Sequence, residues 1–139
     1  MENEKIKHLE FIQSVIKRMA SNSFQIKGWS ITIVTGLLAL SFFKEANLFS
    51  LLPLLPIITF WGLDAYFLRQ EKLFRELYDD ARKAYIFNNP SVELFSMNTK
   101  PYKKNVNNVL CVAFSKTLLL FHGTITILVI IKFIYQFFS

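Results

Sequence analysis

The sequence predicts an all-α integral membrane protein with three transmembrane helices and amphipathic cytoplasmic helices, working as an oligomer. Three observations predict it. Long apolar stretches cover residues 26–43, 48–68 and 109–138, and the segments around them carry most of the charge. The chain is 53% hydrophobic and 16% aromatic over 139 residues, with fifteen phenylalanines, more than a small water-soluble core hides. A helix crosses roughly 30 Å of hydrocarbon with about 20 mostly apolar residues, and each stretch meets that length or comes within a few residues of it.

A soluble helical bundle is the competing architecture. It is disfavoured because "SLLPLLPIITFWGL" and "TITILVIIKFIYQFF" offer no polar face to water. A polar arm of more than twenty residues precedes the first stretch, and "LALSFFKE" is a poor cleavage site, so the first stretch is expected to be a permanent anchor rather than a cleaved leader.

The elements follow in order. Residues 1–25 form a cytoplasmic arm in which Ile6, Leu9, Ile12, Val15 or Ile16, and Met19 recur at helical spacing, with Glu4, Lys7, Glu10, Lys17 and Arg18 elsewhere around the helix. Residues 26–68 form a transmembrane hairpin around Lys44 and Glu45. In its second limb Pro53 is expected in the first turn, where the missing donor costs little, and with Pro56 it allows a bend near the outer end. Residues 69–108 form a cytoplasmic helix and a basic loop. The helix continues out of the second span with Phe74, Leu77, Tyr78, Ala81 and Tyr85 on one stripe, which either buries the stripe of the arm or leaves the arm on lipid headgroups. Past Asn88 the asparagines and prolines break the period. Residues 109–139 form the third span.

Lys and Arg set the orientation, because cytoplasmic segments retain positive residues near the ends of spans. They cluster in the arm and between the second and third spans, which places the N-terminus and middle segment in the cytoplasm and Ser139 outside. Trp29 and Tyr135 would then lie near opposite interfaces.

The usual constellations of catalysis are missing, so no enzyme is expected, and no cofactor or metal site. Cys111 is the single cysteine, His8 and His122 fall in different compartments, and the glycines lack phosphate-cradling spacing. Asp79 and Asp80 are successive helical residues pointing different ways and make no acid and base pair.

Polar residues within the spans carry the functional signal, since ionisable groups there are costly and face protein or water. Asp64 and Lys116 lie at compatible depths as an intramembrane ion pair, within or between subunits, the alternatives being a Lys116 that snorkels or a charged pore vestibule. Cys111, Ser115, Leu118, His122, Thr126, Val129 and Phe133 share one face of the third span. That face either lines a water-filled path ending in an apolar constriction or forms an interhelical seam. Lys100, Lys103 and Lys104 around Tyr102 are candidates for a phosphate-bearing ligand, a lipid headgroup or a topology signal. Three spans enclose no useful cavity, so a pore would require a homo-oligomer around an axis.

The arm running into "SNSFQIKGWSITIVTGLLAL", the tight hairpin, the second span and the charged helix "RQEKLFRELYDDARKAY" resemble the small membrane effectors of bacterial anti-phage systems. The likeness is to the two-span effectors associated with nucleotidyltransferases and to the channel subunit of Hailong-type defence, over residues 4–86. The third span departs from the two-span pattern. The resemblance implies an oligomeric ion channel of the bacterial inner membrane that depolarises it in response to a nucleotide or oligonucleotide made by a partner nucleotidyltransferase, with the basic cytoplasmic segment as sensor. A non-conducting membrane adaptor whose cytoplasmic helices bind a partner protein is the rival expectation.

Overall fold

The computed structural model describes residues 2–41, 48–88 and 92–138, which form helices and turns with no strand among them. Helix α1 spans Glu2–Ser41 and α2 spans Leu54–Ile86, while the last part of the chain holds a short α3, Val109–Ala113, and α4, Lys116–Phe138. Single 3-10 turns occupy Leu48–Leu51 and Lys100–Lys104. The expected tight loop at Lys44 and Glu45, and Ser139, lie outside the described residues.

α2 continues out of its apolar half as expected, and α1 is likewise continuous from the arm into the first apolar stretch. With no proline in α1 and none in α2 past its first turn, nothing interrupts the backbone ladder. The arm and the first apolar stretch are therefore one 40-residue rod, about 60 Å long. The boundary at 68/69 likewise falls inside α2. Pro53 is its N-cap residue and Pro56 lies in its first turn, where the missing N–H belongs to the donors without an intrahelical partner in any case. At the other end the Phe87 N–H closes onto the Lys83 carbonyl, and Asn88 turns into the left-handed region at φ 51, the usual way to stop a helix without glycine.

α1 and α2 pack antiparallel, so their charged halves share one end and their apolar halves the other. At the charged end the two amphipathic stripes bury each other: Ile12 and Ile16 close on Leu77 and Ala81, flanked by Leu9, Phe74, Tyr78 and Tyr85. Ile6, expected on the stripe, is half exposed, and His8 takes a fully buried position instead. Val34 of α1, Ile57 of α2 and Val129 of α4 form a second small core toward the opposite end, and Ala65, Val112 and Leu118 a third between them.

The third apolar stretch is not one helix. It breaks at Phe114 and Ser115 although neither glycine nor proline is present. Asn108 starts α3 by accepting the Cys111 N–H at 2.9 Å, and the Trp61 indole of α2 donates to the Ala113 carbonyl at 2.8 Å. In a continuous helix that carbonyl would bond four residues on, so an indole from another helix stabilises the interruption.

Two helices, α1 and α4, are long and apolar enough to cross a membrane. α2 is not among them: its apolar half ends near Leu68, roughly 22 Å from its start, and contains Asp64. Only 17% of the apolar window in α1 and in α4 is buried, whereas a core helix of a soluble protein buries most of its length. Leu40, Leu55, Ile58, Leu120, Ile127 and Phe137 point outward, as do Trp29 and Tyr135.

Candidate functional site: a charge cluster among apolar helices

The most unusual feature of these apolar helices is a group of ionisable side chains drawn together from α1, α2 and α4. Asp64 is fully buried on α2, and its carboxylate accepts from each neighbouring helix. The Lys27 ammonium of α1 lies 2.8 Å from Oδ1 and 2.6 Å from Oδ2. The Ser23 hydroxyl, one turn earlier on the same face of α1, donates to Oδ1 and receives a bond from Lys27 at 2.9 Å. From α4 the His122 Nε2–H donates to Oδ2 at 3.0 Å. Such satisfaction from three sides is what a buried carboxylate requires.

Aromatic rings enclose the imidazole. Trp61 stacks on His122 at 5.7 Å with 13° between planes, and Phe121 meets it edge-on at 5.0 Å. Lys27 keeps about a quarter of its side chain exposed, which makes it the open side of the cluster. With Nε2–H committed to Asp64, Nδ1 is a bare acceptor, and among the described residues it finds no partner. Two other buried oxygens share that condition, Ser30 Oγ and Ser115 Oγ.

Within one copy, the partners of Asp64 differ from the expected Lys116. Asp64 is held by Lys27, Ser23 and His122, while Lys116 sits exposed at the start of α4 and is not among its partners. Because α1 and α2 run antiparallel, a residue at the start of one apolar stretch meets a residue near the end of the other.

The third-span face is turned into the chain's own interior. Leu118, His122 and Val129 are fully buried against α2 and α1, and the Thr126 hydroxyl bonds its own helix at the His122 carbonyl, 2.7 Å away. Ser115 lies in the break between α3 and α4, Cys111 is exposed, and Phe133 stacks on Phe137. Within one copy, Leu118, His122 and Val129 of this face pack against neighbouring helices.

Lys132 is the residue sequence reasoning missed. Inside the most apolar run of the chain it is buried, donating to the Ser41 hydroxyl at 2.6 Å and carbonyl at 3.3 Å, and Gln136 adds a bond to the same carbonyl at 3.0 Å. A cation at a helix C-terminus is favoured by the helix dipole, and the last turn of α1 has no basic residue of its own. A lysine within an apolar stretch was the available signal.

At the charged end, His8 bonds the Tyr85 hydroxyl and, through Nε2, the Ser96 carbonyl at 2.9 Å. Phe95 adopts φ 60, rare for a bulky residue, and its ring packs on His8 and Phe11. Tyr102 donates to Asp80 at 2.7 Å; burial first, then that bond and the Asp80 and Glu76 charges, raise its phenol above the ordinary value. Burial likewise raises Tyr85. Lys100, Lys103 and Lys104 are exposed on the 3-10 turn around Tyr102. They line no part of the open groove of about 580 Å³ that Lys5, Ile6, Leu9, Arg82 and Tyr85 border at the end of the coil that the charged halves of α1 and α2 form.

No protein-family model, curated protein or solved structure matches the chain.

Proposed function

We propose that the protein is an oligomeric membrane channel, gated from its cytoplasmic end, and that the Lys27–Asp64–His122 cluster is the latch of its closed state. One observation carries the reading: charged groups are buried among apolar helices and connect directly to unbroken α1 and α2, which extend into the charged coil. Ionisable groups at such a depth mark ion pathways, relays or sensors more often than architecture. The alternative cost is high, since apolar residues of similar volume would serve stability as well or better.

In this reading α1, α4 and the apolar half of α2 with the preceding turn form three spans. Positive residues of the arm and middle segment keep the coil in the cytoplasm, and the outward apolar faces meet lipid or neighbouring copies. A ligand or partner that shifts α1 against α2 at the coil moves the Ser23 and Lys27 level as part of the same rods. Losing Asp64 as a common partner frees α4, and the seam through Ser115, His122, Thr126 and Phe133 opens into a path between copies. The layout resemblance supports a bacterial inner-membrane effector of anti-phage defence, with a nucleotide or oligonucleotide from a nucleotidyltransferase as signal. Lys100, Lys103 and Lys104 are its candidate contacts by charge.

Ion flux through purified protein in dye-loaded liposomes tests the channel. Wild type with nucleotides or short oligonucleotides is expected to conduct, Thr126→Trp to block flux with assembly intact, and Asp64→Asn to conduct without the signal. Silence from all three sinks the channel. The second reading, a non-conducting adaptor, is favoured by the groove beside Ile6 and by exposed Ile86 and Phe87 at the coil's tip. It predicts that Ile6→Glu abolishes capture of a cytoplasmic partner and that no variant conducts.

A further inference from the structure

We propose that the protein holds an anionic glycerophospholipid where its coil meets the membrane, with the headgroup phosphate in a recess beside Lys72 and Arg75 and the acyl chains along α3. The inference needs the helices to lie in a bilayer and holds whether or not they conduct. The apolar half of α2 ends at Leu68, and Lys72 lies about 6 Å further along the helix axis. The headgroup layer adds about 5–7 Å on each side of the hydrocarbon, so Lys72 falls within it. The chain returns to this level just before α3, where the Arg69 Nε–H donates to the Asn107 carbonyl at 2.9 Å and fixes the returning segment against α2. Between the two lies an open recess of about 230 Å³ lined by Lys72, Arg75, Glu76, Asn105, Val106 and Asn107. At about 30 Å³ of liquid volume per water, that is room for a phosphodiester with several waters around it.

The polar groups of the recess leave a cation over. Arg75 gives Nε and Nη2 to Glu71 at 2.9 and 2.7 Å, which holds the guanidinium in place and leaves Nη1. Glu76 accepts from the Asn105 side-chain amide at 3.3 Å. The Lys72 ammonium is exposed and has no protein partner among the described residues. Lys103 and Lys104, in the turn directly before Asn105, add to the positive potential. A phosphate ester uses a free ammonium and a guanidinium N–H at once. A second observation selects a lipid over a soluble phosphate. α3 begins directly after Asn108, and Leu110 and Phe114, about one turn apart, are 72% and 67% exposed. An apolar strip that starts within a turn of a cationic recess, at headgroup depth, matches acyl chains joined to a phosphate. A lipid seated there pins the junction of α2 with α3, the point where the coil joins the apolar helices.

Native mass spectrometry of the whole chain released from detergent, with phosphatidylglycerol or phosphatidylcholine of the same acyl chains added, tests the site. Wild type is expected to retain phosphatidylglycerol in preference to phosphatidylcholine. Lys72→Gln combined with Arg75→Gln is expected to weaken phosphatidylglycerol retention roughly 30-fold, the effect of two cations at an anionic surface, with the thermal midpoint nearly unchanged because both side chains are exposed. Lys17→Gln combined with Arg18→Gln removes the same charge from the exposed side of α1 at about the same level and should retain phosphatidylglycerol as wild type does. Glycerol phosphate at the lipid's concentration should not compete. Equal retention of the two lipids overturns the proposal, as does a Lys72 and Arg75 variant that holds phosphatidylglycerol like wild type. An equal loss in the Lys17 and Arg18 variant makes the preference a matter of overall charge and overturns it too. Competition by glycerol phosphate assigns the recess to a soluble phosphate instead. Retention of neither lipid removes the proposal together with the membrane reading, whereas absent ion flux removes only the channel.

Discussion

Asp64 concentrates the energetics of this chain in one carboxylate. Its three partners come from two other helices, so replacing it leaves the Lys27 charge and the His122 Nε2–H facing a weaker acceptor. Asp64→Asn is expected to destabilise the fold by roughly 3–5 kcal/mol, the cost of breaking a buried pair from one side, seen as a lower thermal midpoint in detergent. Lys27→Met is the complementary case, leaving the fully buried Asp64 carboxylate without its cation and held by Ser23 and His122 alone. At the coil, Tyr102 gives a pH signature. Its folded value is raised above 10.0, so the stability it contributes is present below that pH and is lost as pH rises through the folded value. A hydrogen-exchange series above pH 10 is expected to show the coil loosening in wild type and less change in Tyr102→Phe. Asp64 stood out in the sequence as an ionisable residue within an apolar stretch; its partners did not, because a lone sequence does not say which residue of an antiparallel helix arrives at the same depth.

The helices reveal a different division. The stripes of α1 and α2 were legible from their period, and their mutual burial through Ile12, Ile16, Leu77 and Ala81 follows from antiparallel packing. Ile12→Ala and Leu77→Ala are each expected to cost about 2–5 kcal/mol and to combine less than additively, as measured by a double-mutant cycle on thermal unfolding. The break between α3 and α4 was not legible, since no residue in "CVAFSKT" punctuates a helix and the indole that stabilises the gap comes from α2. Trp61→Phe keeps most of the ring's stacking on His122 but removes the N–H, leaving the Ala113 carbonyl unpaired. A loss of about 1–3 kcal/mol is expected, with faster amide exchange confined to residues 113–117.

For the whole molecule, the outward apolar surface of α1 and α4 demands a lipid or protein environment that one copy does not supply. The channel reading predicts a closed oligomer in mild detergent by native mass spectrometry. A monomer at every concentration would leave no wall for a path between copies and would favour the adaptor. Leu120→Trp, on the exposed side of α4, is expected to change subunit association with little effect on the intrachain cores, a split that crosslinking and thermal melting together detect.

What the sequence determined by itself was local: helix as the regular structure of the described residues, the length and apolarity of α1 and α4, the amphipathic coil, the separation of charge from hydrocarbon. Those properties depend on residue type and spacing along one chain. Tertiary structure decided the rest. It chose Lys27 and His122 over Lys116 for Asp64, turned the polar face of α4 inward, interrupted the last stretch at Phe114, and gave Lys132 the end of α1 to cap. Each outcome is set by the relative depth and rotation of helices distant in sequence, where the cost of leaving a buried polar atom unpaired selects one arrangement among many that the periodicity alone would allow.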